Sequence, residues 1–342
     1  MTNWKYSKGL TALLLGLTVV VIGLGGLIRI YDAGESCPDW PLCFGTMGFD
    51  VSEEDQEAWY IENPDEVDSR GSGHRYTTFQ IFTEWFHRVL AGLFLGPLVI
   101  LNWFMLRRME EVGKEVRFAS MLTVILIIWQ GAIGWLTVEM DNLHWSVALH
   151  LSSALAFTMS MFWLWLTLSR AEGDLPEWMS FDYSISKKWK TRVAWLSIGA
   201  FVSIFSGTFV STTPGANAGC GVDGMPDSWP LCGGKIVDSV EDIVAQSQII
   251  HRWFVGIMLI ALIAASYSVS NGEQSNDVLR NWIWGSTALF FVNASIGAIY
   301  VLSWDLEEGF FELLSLVHLM MASLTFVTMA IAWIGCSIAE EV

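Results

Sequence analysis

Thr83-Glu84-Trp85-Phe86-His87-Arg88 returns 164 residues later as Ser247-Gln248-Ile249-Ile250-His251-Arg252, with glutamine where the first copy has an acid. Each copy enters an apolar stretch long enough to cross a bilayer. On a helix, residues three apart share a face, so Glu84 and His87 are expected to point into one space. An acid and an imidazole at membrane depth are costly and mark function. The pair of hexads makes the chain a duplication in which only one copy carries an ionisable carboxyl.

Further matches extend the duplication in both directions. Gln130-Gly131-Ala132-Ile133-Gly134 pairs with Asn293-Ala294-Ser295-Ile296-Gly297, and the segment after His150 pairs with His318-Leu319-Met320-Met321-Ala322. Pro38-Asp39-Trp40-Pro41-Leu42-Cys43 returns as Pro226-Asp227-Ser228-Trp229-Pro230-Leu231-Cys232, one residue longer. Small residues in the two pentads permit close helix packing.

The 342-residue chain is 53% hydrophobic and holds 19 tryptophans, which describes a polytopic membrane protein. Eight apolar stretches can span: 10–29, 80–106, 118–139, 146–169, 193–212, 249–270, 281–303 and 312–336. The first is too long for a signal-peptide core and lacks a small-residue cleavage site, so it is expected to stay as a helix. No Arg-rich, acid-poor presequence precedes it. The expected fold is all-α: eight transmembrane helices as two pseudo-symmetric four-helix bundles in parallel repeat. Residues 1–170 and 193–342 form the two units, and the polar, partly basic residues 171–192 form a cytoplasmic linker.

Lysine and arginine set the orientation. The N-terminus and the even-numbered loops, with adjoining helix ends, hold twelve, from Lys5 to Arg280; the opposite loops hold Arg70, Arg75 and Lys235. Both termini are therefore expected in the cytoplasm. Most of the net charge of −17 then lies outside, with twelve acids between Asp32 and Asp68. That loop reads as a solvated acidic surface or as a dock for a basic partner, and nucleic acid is excluded from it. Its polar second part, 51–69, is expected to contain a short helix capped by Ser52.

The four repeat-matched histidines, His87, His150, His251 and His318, fall just inside the outer ends of even-numbered helices. One alone would be satisfied by a hydrogen bond to a neighbouring helix. Four at matched positions instead suit two bis-histidine haem sites inside bundles. Zinc wants more ligands, including cysteine or carboxylate. His74 and His144 have no counterparts and read as loop residues, His144 near the site rim. Cys37/Cys43 and Cys220/Cys232 lie in outer loops, where a pair closes a disulfide or relays thiol state; Cys336 reads as packed. Glu84 is suited to proton transfer or to stabilising positive charge beside a reactant. Gln248 keeps its shape without the charge, so the units read as one reacting and one carrying electrons. Arg29, Arg88 and Arg252 are candidates for haem propionates or for interfacial anchoring.

Glu-x-x-His-Arg, the loop Ser36-Cys37-Pro38-Asp39-Trp40-Pro41-Leu42-Cys43 and three further helix histidines together resemble the haem A synthase family. The resemblance runs from Gly25 to about Phe326. It implies an eight-helix prokaryotic cell-membrane oxidoreductase, with haem sites near the outer face, that turns a ring methyl of haem O into the formyl of haem A. By the same resemblance His87 and His150 flank the substrate haem O with Glu84 beside it, while His251 and His318 ligate a haem b. It also implies a functional link to haem O synthase and an electron acceptor that the sequence does not identify. A cleft open to membrane lipid would suit the isoprenoid tail, and a homo-oligomer is compatible with the sequence. The long acidic insertion after Cys43 and the wider spacing of the second cysteine pair depart from simpler members. Two bis-histidine units would equally fit a di-haem b electron-transfer protein or a haem carrier.

Overall fold

A computed structural model describes residues 4–39, 41–68, 70–236, 243–272 and 277–339. Trp40 of the first cysteine loop lies outside the described residues. The chain is all-helical among them, and eight helices are long and apolar enough to cross a membrane. It divides into two compact units, Met1–Asp174 and Leu175–Val342.

The first unit holds α1 (Trp4–Ile30), α2 (Glu53–Glu62), α3 (Thr78–Arg108), α4 (Lys114–Glu139) and α5 (His144–Glu172). The four long helices close a ring in which α1 packs on α3 and α5, and α4 packs on α3 and α5. Lipid tails are as apolar as leucine, so close packing and buried polar contacts must hold such a ring. Leu14, Leu95, Val99, Phe157 and Met161 form one packed layer. Asn102 on α3 donates to the Thr11 hydroxyl on α1 at 2.8 Å, both buried.

Beyond His87, α3 widens into a π-turn over Leu90–Leu95, with the Gly96 N–H reaching the Ala91 carbonyl. Pro97 follows; its ring clashes with the preceding turn and it offers no N–H, and the wider turn relieves both. Gly173 ends α5 in the left-handed conformation (φ 70°), a helix C-terminus that glycine enters without steric cost.

The loop between α1 and α3 is a small folded body. Ser52 caps α2 and Asp55 reaches back, a complete capping box. Cys37, Cys43, Phe44, Val51, Tyr60, Tyr76 and Ile81 form its core. The buried Gln56 amide takes the Tyr76 N–H at 2.9 Å and donates to the Tyr76 carbonyl at 3.0 Å, which splices α2 to the chain entering α3.

The second unit holds α6 (Tyr183–Thr212), α7 (Ile243–Ser270), α8 (Asp277–Leu302) and α9 (Glu312–Ile338). They too close a ring: α6 on α7, α7 on α8, α8 on α9 and α9 on α6. Ser266 and Thr287 join α7 to α8 at 2.8 Å, and Ser286 joins Thr328 on α9 at 2.9 Å.

Residues 171–192 differ from the expected linker. Only 173–182 leave the long helices; from Tyr183 the chain is already α6, started by the Asp182 side chain on the Ile185 N–H at 3.0 Å. Lys187, Lys188, Lys190 and Arg192 are charged yet good helix formers, so the helix starts before the apolar run does.

Candidate functional site

Each repeat-matched histidine stands against a glycine of the membrane-spanning helix before it. The site where a Cβ would sit on Gly25 (α1) lies 3.6 Å from His87 Cε1, and on Gly134 (α4) 3.2 Å from His150 Cε1. In the second unit the distances are 2.9 Å from Gly207 (α6) to His251 and 2.7 Å from Gly297 (α8) to His318. A side chain at any of the last three would push the imidazole out of place. The histidines' glycine partners are what the sequence reading missed. Gly134 and Gly297 stood out only as small packing residues, and Gly25 and Gly207 not as supports at all, although all four precede a matched histidine by one membrane span.

In the second unit the rings of His251 and His318 lie with centres 6.4 Å apart and planes at 86°. An iron–nitrogen bond of about 2 Å and about 1.1 Å from nitrogen to ring centre put two imidazoles about 6.2 Å apart across one iron. The observed separation is compatible with two imidazoles on one iron. Orientation supports this. His318 Nδ1 donates to the Asn293 carbonyl at 2.9 Å. His251 Nδ1 meets Ser206 Oγ at 3.0 Å, and that hydroxyl gives its proton to the Ser203 carbonyl at 2.9 Å. Both Nδ1 atoms must then be the protonated ones, which leaves each Nε2 lone pair for a metal.

In the first unit, Nδ1 of His87 and of His150 are buried without a hydrogen bond among the described residues. His150 is steadied through its backbone instead. Gln130 on α4 donates to the His150 carbonyl at 3.2 Å and accepts from Ser153 at 3.0 Å. Among the described residues no group of three or more His, Cys, Asp or Glu side chains is gathered to hold a metal ion.

Glu84 is buried (4% exposed), one turn of α3 before Arg88. Arg88 Nε and Nη2 both donate to Glu84 Oε1, at 3.1 and 2.5 Å. The same guanidinium donates to the carbonyls of Cys37 (2.6 Å), Asp39 (2.6 Å) and Leu42 (3.4 Å). Ser36 Oγ lies 3.4 Å from Glu84 Oε2 and 3.0 Å from the Gln80 carbonyl. Cys37 and Cys43 are disulfide-bonded, with Cα atoms 4.3 Å apart, so Arg88 grips a loop closed on itself.

The second unit repeats this arrangement without the charge. Cys220 and Cys232 are bonded, again with Cα atoms 4.3 Å apart. Arg252 donates to the Leu231 carbonyl at 2.7 Å and to Gln248 Oε1 at 2.9 Å. The Gln248 amide, which a carboxylate lacks, donates to the carbonyls of Ala216 (2.9 Å) and Asn217 (3.0 Å). Arg29 sits in the last turn of α1, and His144 is the first residue of α5. His74 packs edge-on against Tyr76, ring centres 4.8 Å apart.

Several loop acids are not simply solvated. Arg70 pairs with Asp32 (3.0 Å), Glu35 (3.2 Å) and Asp68 (3.6 Å), and Tyr76 bonds both Arg70 and Asp68. Asn142, in the turn between α4 and α5, donates to Glu35 Oε1 at 3.1 Å, which ties the first loop to the turn just before α5. Burial pushes the Glu35 carboxyl up, against Asn142 and Arg70, which pull it down. Burial and the Asp68 hydrogen bond push the Tyr76 phenol up as well.

A profile of the COX15-CtaA family, described as cytochrome oxidase assembly protein, matches residues 8–330. A heme A synthase of Shouchella clausii is 28% identical over 328 residues, covering 93% of this chain and 94% of that protein. One from Erythrobacter litoralis is 27% identical over 300 residues, covering 79% and 82%. Eight spans in two compact units, paired imidazoles and a profile match over nearly the whole length agree: the chain belongs to the COX15-CtaA family of cytochrome oxidase assembly proteins.

Proposed function

We propose that this protein is an oxidoreductase that converts haem O to haem A by oxidising a ring methyl group to a formyl group in successive hydroxylations. The relatives' common name supports the activity. The observation that carries the division of labour is the carboxylate of Glu84 in one unit against the neutral Gln248 in the other.

His87 and His150 hold the substrate haem O, with Glu84 as the nearby base. Taking the methyl carbon to the aldehyde level is a four-electron oxidation that also releases protons, and a buried carboxylate is a suitable acceptor for them. His251 and His318 hold haem b. When bound, that group supplies one-electron chemistry, and Ser206 and the Asn293 carbonyl keep its two imidazoles oriented. A ring of four helices would keep water from the reacting carbon, and a cleft open to lipid would suit the isoprenoid tail. The charge asymmetry of the loops supports an orientation with both termini cytoplasmic and both sites near the outer face, and the resemblance to the haem A synthase family supports a prokaryotic cell-membrane location. Haem O synthase is the functional neighbour that supplies the substrate, and an electron acceptor takes the electrons onward.

The test is extraction and chromatography of the haems from purified protein made with a haem O supply, before and after Glu84→Gln. Haem A or hydroxylated haem from the wild type, and little from the variant, is expected. Two b haems in equal amounts with no haem O turnover would make the protein an electron carrier instead.

A further inference from the structure

Arginines beside haem sites are natural partners for propionates, yet the donors of Arg88 are directed elsewhere. A guanidinium has five N–H groups. Arg88 makes five contacts: two to Glu84 Oε1 and three to the carbonyls of Cys37, Asp39 and Leu42. A propionate could be bound only by breaking some of these, in a side chain that is 13% exposed.

We infer that Arg88 is a positioning residue for Glu84: it uses the disulfide-closed loop as a fixed frame and holds the carboxylate by one oxygen, leaving the other to act. This rests on the proposal that Glu84 serves haem O oxidation. Oε1 receives both guanidinium N–H groups. Oε2 has the Ser36 hydroxyl at 3.4 Å, which carries a single proton and stands closer to the Gln80 carbonyl, at 3.0 Å, and the Ser36 main chain also reaches the carboxylate. Oε2 is thus the oxygen without a guanidinium on it, and the one left to take a proton from a reactant. The three carbonyls lie between, or on, two cysteines joined by a disulfide and both fully buried. Arg252 has a loop carbonyl and Gln248 in the same roles, so the second unit inherits the clamp without a base for it to aim.

A group aimed by a second residue loses rate, rather than substrate affinity, when the aim is lost; a misplacement near 1 Å costs about 100-fold. The experiment measures kcat and KM for haem O on purified, haem b-loaded protein carrying Arg88→Gln, Arg88→Lys, Glu84→Gln and each Arg88 change in the Glu84→Gln background. Arg88→Gln is expected to lower kcat about 100-fold with KM within about threefold, and Arg88→Lys to recover part of that loss. In the Glu84→Gln background neither Arg88 change should cost more than about twofold further, because a residue acting through another has nothing left to act on. A KM raised tenfold with kcat intact would make Arg88 a propionate ligand and overturn the inference. So would additive losses in the double variants. Should Arg88→Gln lose haem b and fail to fold, Arg88→Lys with and without Glu84→Gln separates the same outcomes. Wild-type turnover in Glu84→Gln alone would instead remove the acid from the proposed function.

Discussion

The rings of His251 and His318 lie with centres 6.4 Å apart and planes nearly perpendicular, at 86°. They come from α7 and α9, helices that do not follow one another in the chain, and each is pinned at Nδ1 by a different neighbour, Ser206 or the Asn293 carbonyl. A matched spacing with fixed ring planes constrains how a haem there must look spectroscopically.

Perpendicular axial imidazoles leave the two iron d orbitals of π symmetry nearly equal in energy. If His251 and His318 hold haem b as proposed, its ferric low-spin form is therefore expected to give an electron paramagnetic resonance spectrum dominated by one large g value. His318→Ala should cut the haem b content of the purified protein to below about a tenth, as loss of a ligand from a two-ligand site removes most of its affinity. A rhombic spectrum typical of parallel rings would show that the 86° geometry is not the bound one.

The Ser206 hydroxyl accepts from His251 and so strengthens that imidazole as a donor. Ser206→Ala should weaken haem b retention about tenfold, in the range seen when partners of metal-ligating histidines are removed. It should also raise the haem's reduction potential, because a poorer donor stabilises the ferric state less. Potentiometric titration of the purified protein reads the shift. An unchanged potential would mean that Ser206 does not hold the ring in the loaded protein.

The glycine supports give a graded series. A Cβ at Gly297 or Gly207 would come within 2.7 or 2.9 Å of its histidine, at Gly134 within 3.2 Å, and at Gly25 within 3.6 Å, an ordinary contact. Overpacking of this kind costs about 1–3 kcal/mol or moves the side chain. Gly297→Ala and Gly207→Ala are expected to deplete haem b, Gly134→Ala to weaken haem O binding modestly, and Gly25→Ala to be tolerated. Absorbance of the purified variants ranks them, and a flat series would contradict the contacts.

How much of this could be read from the chain follows from the kind of signal involved. The spans, the duplication and the four histidines are patterns of residue type at fixed spacing, and Ser52 three residues before Asp55 is a helix start in plain view. The role of Arg88 was not legible, because three of its partners are backbone carbonyls, which every residue has. Nor was Ser36, the partner of the Glu84 carboxylate from across the loop, marked by any pattern of spacing. The glycine partners needed knowledge of which helices touch. The start of α6 at Tyr183 was obscured because hydropathy marks where an apolar run begins, not where a helix does.

Glu35 offers a test outside the membrane. Burial is the largest influence on its carboxyl and raises it above the usual carboxylate value, while Asn142 and Arg70 pull the other way. A carboxyl whose folded-state pKa is raised binds its proton more tightly in the folded loop than in the unfolded chain. Its contribution to stability is therefore full below the unfolded value of 4.5 and is lost as pH rises through the folded one. Hydrogen exchange across 31–77 should show protection falling between pH 4.5 and neutrality, and Glu35→Gln, which keeps an acceptor for Arg70 and Asn142 but cannot ionise, should reduce that fall. Arg70 keeps its Asp32 and Asp68 partners in both proteins, so the difference between wild type and variant isolates Glu35. If the two curves run parallel, its ionisation carries no cost in the folded loop, and the Arg70 and Asn142 contacts offset its burial in full.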